Sequence, residues 1–150
     1  MNHFILLIED DKYQAQAAQE ELKALFPKFH VERYPTEKDF LSRLGSFFHI
    51  PPDVVILDIM LPFTTPIHAK EEVVNLTSPH DNSRAGIRCL KILQEKWPET
   101  RVILWSACTK QDIKKKLEEE HLSLNYPIIA KSSDYIPLMN AVHHAVHPKN

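Results

Sequence analysis

Glu9, Asp10, Asp58, Ser106 and Lys131 have the side-chain types to handle a phosphoryl group beside a divalent cation. Each closes an apolar run: "HFILLI" leads into Glu9 and Asp10, "VVIL" into Asp58, "RVILW" into Ser106 and "YPIIA" into Lys131. Three carboxylates brought within a few ångströms repel one another unless a cation sits among them. The obvious donors are hard oxygens, with no Cys or His nearby in sequence. Such a set suits Mg²⁺, with Mn²⁺ as the alternative: the ion takes one or two carboxylates, keeps several waters and accepts phosphate oxygens. Lys131 adds a fixed positive charge and Ser106 a hydroxyl donor. Phosphoryl transfer asks mainly for positioning and charge neutralisation, and a carboxylate can itself be the nucleophile.

The elements that must position these groups follow from hydropathy. "FILLI", "VVIL" and "VILW" are apolar throughout, which marks strands buried on both faces. "FHVERY" is more polar and reads as an edge strand, and "YPIIAK" is a short fifth one. Helices alternate with them. In "KYQAQAAQEELKALF", Ala15, Ala18, Leu22, Leu25 and Phe26 share a face, after Asp11 as N-cap. "TEKDFLSRLGSFF" is a helix through Leu44 capped by Thr36. "GIRCLKILQEKWP" turns Ile87, Leu90 and Leu93 inward. "KQDIKKKLEEEHL" is a charged helix with Ile113 and Leu117 facing in. "DYIPLMNAVHHAV" is the last, with Asp134 as cap and Pro137 in its first turn. The order βαβαβαβαβα means a parallel sheet covered on both faces, and right-handed crossovers wind it doubly. Ligands of such sheets bind outside the carboxyl ends of the strands, which is where the five polar groups fall.

Composition narrows the classes. The chain has 150 residues and a net charge of −2, so it carries no basic field for nucleic acid or an anionic membrane. The N-terminal apolar run is too short for a signal peptide or a membrane span. Cys89 and Cys108 form no metal-type pair and are expected to be reduced, as in a cytoplasmic protein. There are only two glycines, Gly45 and Gly86, which excludes a glycine-rich phosphate loop. Residues 59 to 85 hold three prolines and many polar residues, with a short helix expected around 70 to 76. A loop of this length inside a compact domain is usually functional or mobile.

Taken in order, "LLIEDD", "VVILDIMLP", "VILWSA" and "IIAK" resemble the receiver domain of bacterial two-component response regulators, over nearly the whole chain. The resemblance implies a single receiver domain over 1 to 150, with the long inserted loop. It implies a flavodoxin-like (βα)5 α/β fold: a doubly wound five-stranded parallel sheet in the order 2-1-3-4-5. Asp58 would be the phosphoacceptor. Asp10 would bind Mg²⁺ directly, Glu9 through water, and the Met60 carbonyl would be a further ligand. Ser106 and Lys131 would each engage a phosphoryl oxygen. The phosphodonor would be a sensor histidine kinase or phosphotransfer protein, and the phosphorylated chain would act on a downstream protein target or output domain. No dedicated enzymatic activity is expected beyond self-phosphorylation from a phosphodonor and slow self-dephosphorylation. Direct nucleic-acid and membrane contacts are not expected, and a homodimer would use the face around strands four and five. The sequence is compatible with a stand-alone receiver and with a piece of a longer regulator.

Three features depart from the family pattern. Ile128 stands where an aromatic residue is usual, with Tyr126 two positions earlier. Ser132 follows Lys131 in place of proline, which leaves a trans bond or a costly cis one. The loop after Asp58 is much longer than usual. The missing aromatic and the long loop sustain a second reading, a pseudo-receiver that binds proteins independently of phosphorylation. An aspartyl phosphatase of the haloacid dehalogenase kind would need an aspartate where Met60 stands. A dinucleotide or flavin enzyme would need a glycine-rich turn after the first strand. "HHAVH" near the C-terminus is a solvated helix end before it is a metal site.

Overall fold

The structure, a computed structural model, describes residues 3 to 45, 50 to 61 and 82 to 148, with backbone only at 82 and 83. The expected short helix at 70 to 76 and most of the inserted loop lie outside the described residues. Among the described residues, five strands and five helices alternate: β1 (His3–Ile8), α1 (Lys12–Leu25), β2 (Phe29–Tyr34), α2 (Glu37–Leu44), β3 (Val54–Leu57), α3 (Asn82–Lys96), β4 (Arg101–Ser106), α4 (Lys110–Glu119), β5 (Ile128–Ala130) and α5 (Ile136–Val146). The strands pair in parallel in the order β2-β1-β3-β4-β5. The polar second strand is at an edge, as its composition requires.

Side chains alternate across the sheet with period two, and this divides the core. Phe4, Leu6, Ile8, Val55, Leu57, Val102 and Leu104 pack with Phe40 of α2, Leu90 and Leu93 of α3, and Ile113 and Leu117 of α4. Ile5, Leu7, Val54, Ile56, Ile103 and Trp105 face the other way, onto Ala15, Ala18 and Leu22 of α1 and Leu138 and Val142 of α5. A strand with helices over both faces has no position left for a polar side chain until it ends.

Helix ends follow their local chemistry, with four adjustments to the sequence reading. Asp11 caps α1 by accepting the Tyr13 and Gln14 N–H groups, and Thr36 caps α2 by accepting that of Asp39. Leu25 is 56% exposed instead of packed. It lies a turn's edge away from Leu22, and Phe26 fills the site where the chain leaves the helix. Helix α3 starts at Asn82, so residues 82 to 85 of the expected loop are helical. Helix α4 ends at Glu119, earlier than expected, and His121 adopts a left-handed φ of 54°. Asp134 accepts from the Ile136 N–H at 2.9 Å as a turn residue, and Tyr135 occupies the N-cap position.

The segment after β3 is anchored at once. Ile59 and Leu61 are buried, whereas Met60 between them is partly exposed. Gly86 of α3 lies against the Ile59 backbone: a Cβ built on it would come 2.3 Å from the Ile59 carbonyl oxygen. Arg88, half a turn on, makes a bidentate pair with the buried Glu37 of α2, at 2.7 and 2.6 Å. Together these contacts seat the start of α3. Among the described residues no helix is long and apolar enough to cross a membrane.

Candidate functional site

The register of the sheet brings the acids together. Ile8 is level with Leu57, and Leu57 with Leu104. Glu9 and Asp58 are therefore adjacent where β1 and β3 give out. The ladder continues one step further: Asp58 N–H donates to the Ile8 carbonyl at 2.9 Å, and Lys131 N–H to the Ser106 carbonyl at 2.9 Å. Asp58 and Lys131 thus stand one residue beyond their strands, while Ser106 is the last residue of β4. One carboxylate oxygen from each of Glu9, Asp10 and Asp58 falls within 4.8 Å of the others. Glu9 and Asp58 are buried, and Asp10 is exposed.

Lys131 compensates this charge. Its Nζ donates to Asp58 Oδ2 at 2.8 Å and lies 2.5 Å from Glu9 Oε2. The Met60 N–H donates to Asp58 Oδ1 at 2.9 Å, and the Asp11 N–H to Glu9 Oε1 at 2.9 Å. Glu9 Oε2 pairs with Lys131 by charge but receives no aligned hydrogen bond. A buried carboxylate oxygen of this kind, one of three at close range, fits a divalent cation or a water bound to one. Burial pushes the Glu9 carboxyl up to about 7, the Asp58 charge adds to this, and Lys131 opposes it. Burial also raises Asp58, against the pull of Lys131 and the Met60 N–H. Burial alone would lower the Lys131 ammonium, but Asp58 and Glu9 hold it above its ordinary value.

Ser106 is buried and accepts the Cys108 N–H at 3.2 Å, which ties the hydroxyl to the loop after β4. A hydroxyl that accepts still has its own proton to donate. Trp105 next to it packs into the other core layer, and its ring centroid lies 5.3 Å from Lys131 Nζ. Tyr135, at the start of α5, lies 6.0 Å from the same indole. Met60 is 37% exposed beside the site, and its sulfur is 3.7 Å from Lys116 Nζ of α4.

The departures also have definite places. Ile128 is buried in the core beneath α3 and α4. Tyr126 precedes β5, its hydroxyl bonded by Gln94 of α3, beside Trp97 and Thr100 at the far end of the sheet from the acids. Among the described residues no peptide bond is cis, so Lys131–Ser132 is trans. Cys89 is buried and Cys108 half-buried, both as free thiols.

Sequence reasoning named every group in this cluster but missed Arg33, whose guanidinium grips the backbone of the acidic loop. A lone arginine in a polar edge strand gives no warning of that reach. It also passed over Gly86, although an isolated glycine within a helix often marks a close approach.

The architecture is that of the flavodoxin-like doubly wound class. Solved structures of similar fold narrow this further. The BeF3-activated receiver domain of DrrB superposes with a TM-score of 0.67 over 97% of this chain and 98% of its own, at 22% identity. The response regulator TrrA of Thermotoga maritima, in complex with Mg²⁺-BeF, gives a TM-score of 0.66 over 95% and 98%, at 17% identity. A CheY-like response regulator receiver domain from Methanospirillum hungatei gives 0.66 over 96% and 93%, at 14% identity. The chain has the receiver-domain fold. No protein-family model and no curated protein matches it.

Proposed function

We propose that this chain is a single receiver domain and acts as a phosphorylation-controlled switch, with Asp58 as phosphoacceptor. The carrying observation is the convergence of Glu9, Asp10 and Asp58 within 4.8 Å, with Lys131 Nζ 2.8 Å from Asp58. Asp10, Asp58 and the Met60 carbonyl would hold Mg²⁺ or Mn²⁺, with Glu9 acting through water. The ion supplies charge neutralisation for the incoming phosphoryl group and its oxygens. A carboxylate oxygen of Asp58 attacks phosphorus in line, the O–P bond forms, and the P–N bond to the donor histidine breaks. Lys131 moves from its carboxylate partners to one phosphoryl oxygen, and Ser106 donates to another. Later, water attacks phosphorus, the O–P bond to Asp58 breaks and inorganic phosphate leaves.

The donor is a sensor histidine kinase or a phosphotransfer protein, and the readout is a protein target or output domain. Ser106 carries the change outward: drawing its hydroxyl toward a phosphoryl oxygen pulls on the Cys108 N–H and the loop leading into α4. This setting is cytoplasmic, in keeping with the two free thiols. The test is incubation with Mg²⁺ and acetyl phosphate, read by intact mass. One phosphoryl group is expected on the wild type and none on Asp58→Asn. Ile128 and the remote Tyr126 favour one rival reading, a phosphorylation-independent binding module. No phosphoryl gain, with acetyl phosphate or with a cognate kinase, would overturn the phosphoacceptor reading and favour that rival.

A further inference from the structure

We propose that Arg33 is a positioning residue for the acidic loop, setting the affinity of the site for its divalent ion. This rests on the cation-binding reading above. Arg33 is on the edge strand β2, level with Leu7 of β1. Its side chain crosses the end of β1. Nε donates to the Glu9 carbonyl at 2.9 Å and a terminal Nη to the Asp10 carbonyl at 2.8 Å.

Beyond Ile8 the β1–β2 ladder keeps one more bond, from the Glu9 N–H to the Tyr34 carbonyl at 3.1 Å. The two carbonyls that follow have left the sheet. Arg33 meets both with one planar fork, which fixes the orientation of two successive peptide groups. Glu9 is also held by burial and by the Asp11 N–H. Asp10 is exposed and has no such packing, so the peptides on either side of it decide where its carboxylate points. The guanidinium therefore acts on the cation through the backbone. It touches neither the phosphoryl group nor the ion.

A purely electrostatic role predicts the opposite sign. A positive charge near a cation site opposes the ion, so removing it should tighten binding. A positioning role predicts looser binding, because residues that orient metal ligands commonly contribute ten- to hundredfold in affinity. Lysine keeps the charge but offers a compact ammonium that cannot span both carbonyls in fixed geometry.

The experiment is calorimetric titration of Mg²⁺ into the 150-residue wild type, Arg33→Lys and Arg33→Met at one ionic strength, with urea unfolding alongside. The expected result is a Kd about tenfold weaker in Arg33→Met, with Arg33→Lys part of the way there. Tighter binding by Arg33→Met, or equal affinity in all three proteins with only stability changed, overturns the proposal. A wild type that binds no Mg²⁺ defeats the cation-binding reading itself and the proposal with it. A wild type that binds while the variants match it defeats only the role of Arg33.

Discussion

Gly86→Ala should damage the site from a distance, and the magnitudes decide the sign. In an ordinary helix interior, glycine to alanine stabilises by about 1 kcal/mol. Here the new methyl would lie 2.3 Å from the Ile59 carbonyl oxygen and 2.6 Å from its Cα, both backbone atoms, where ordinary contact begins at 3.4 Å. Something must move by about 1 Å, and overpacking of this kind costs about 1–3 kcal/mol. The upper half of that range applies, because neither partner is a side chain that can rotate away. The net expectation is destabilisation by about 1–2 kcal/mol. Ile59 directly follows Asp58, so the displacement reaches the turn in which Met60 N–H holds Asp58 Oδ1. Phosphorylation by acetyl phosphate should slow by about tenfold to a hundredfold, the range a 1 Å misplacement produces. Gly45→Ala is the control: among the described residues nothing lies within 4 Å of its Cβ position, and its φ of −64° suits alanine. Urea unfolding and rates by intact mass read both variants. A Gly86→Ala protein as stable as wild type, with Gly45→Ala no different, would refute the reasoning.

Two further outcomes are expected. The Glu9 carboxyl sits at about 7 in the fold against an ordinary 4.5, and Asp58 is shifted the same way, so the native state holds protons that the unfolded chain releases. Stability of the metal-free protein should therefore be greatest below pH 4.5 as far as these groups are concerned. It should fall as pH rises to about 7, by an amount on the order of 3 kcal/mol for Glu9. Mg²⁺ should recover much of it at pH 8; equal urea midpoints at pH 5 and 8 in EDTA would contradict this. Trp105 fluorescence should change when Mg²⁺ and beryllofluoride are added, because Lys131 leaves its place 5.3 Å from the indole; an unchanged spectrum with binding proved by calorimetry would mean that Lys131 stays.

What could be read from the sequence was what repeats along it. The fully apolar runs at β1, β3 and β4 identify buried parallel strands, and each ends in the side chain that the sheet then carries to one rim. Asp11 and Thr36 were legible as caps because capping is local. Contacts between elements distant in sequence were not. The Arg33 fork depends on the register of β2 against β1, and the Glu37–Arg88 pair on how α2 meets α3. The start of α3 at Asn82 was hidden because the polar residues before Gly86 carry no helical periodicity. Leu25 was misplaced by counting a helical face through to the point where the helix stops.

The seating of Ile59 against Gly86 separates two properties of the chain that are usually tied together. Twenty residues lie between Leu61 and Asn82, yet both ends of that stretch are fastened by contacts that do not involve it. The place of the nucleophile is therefore set by the seating of Ile59 and Leu61 and by the close approach of Gly86. Substitutions confined to residues 62 to 81 leave these contacts in place, and with them the geometry of the chemistry a few residues upstream.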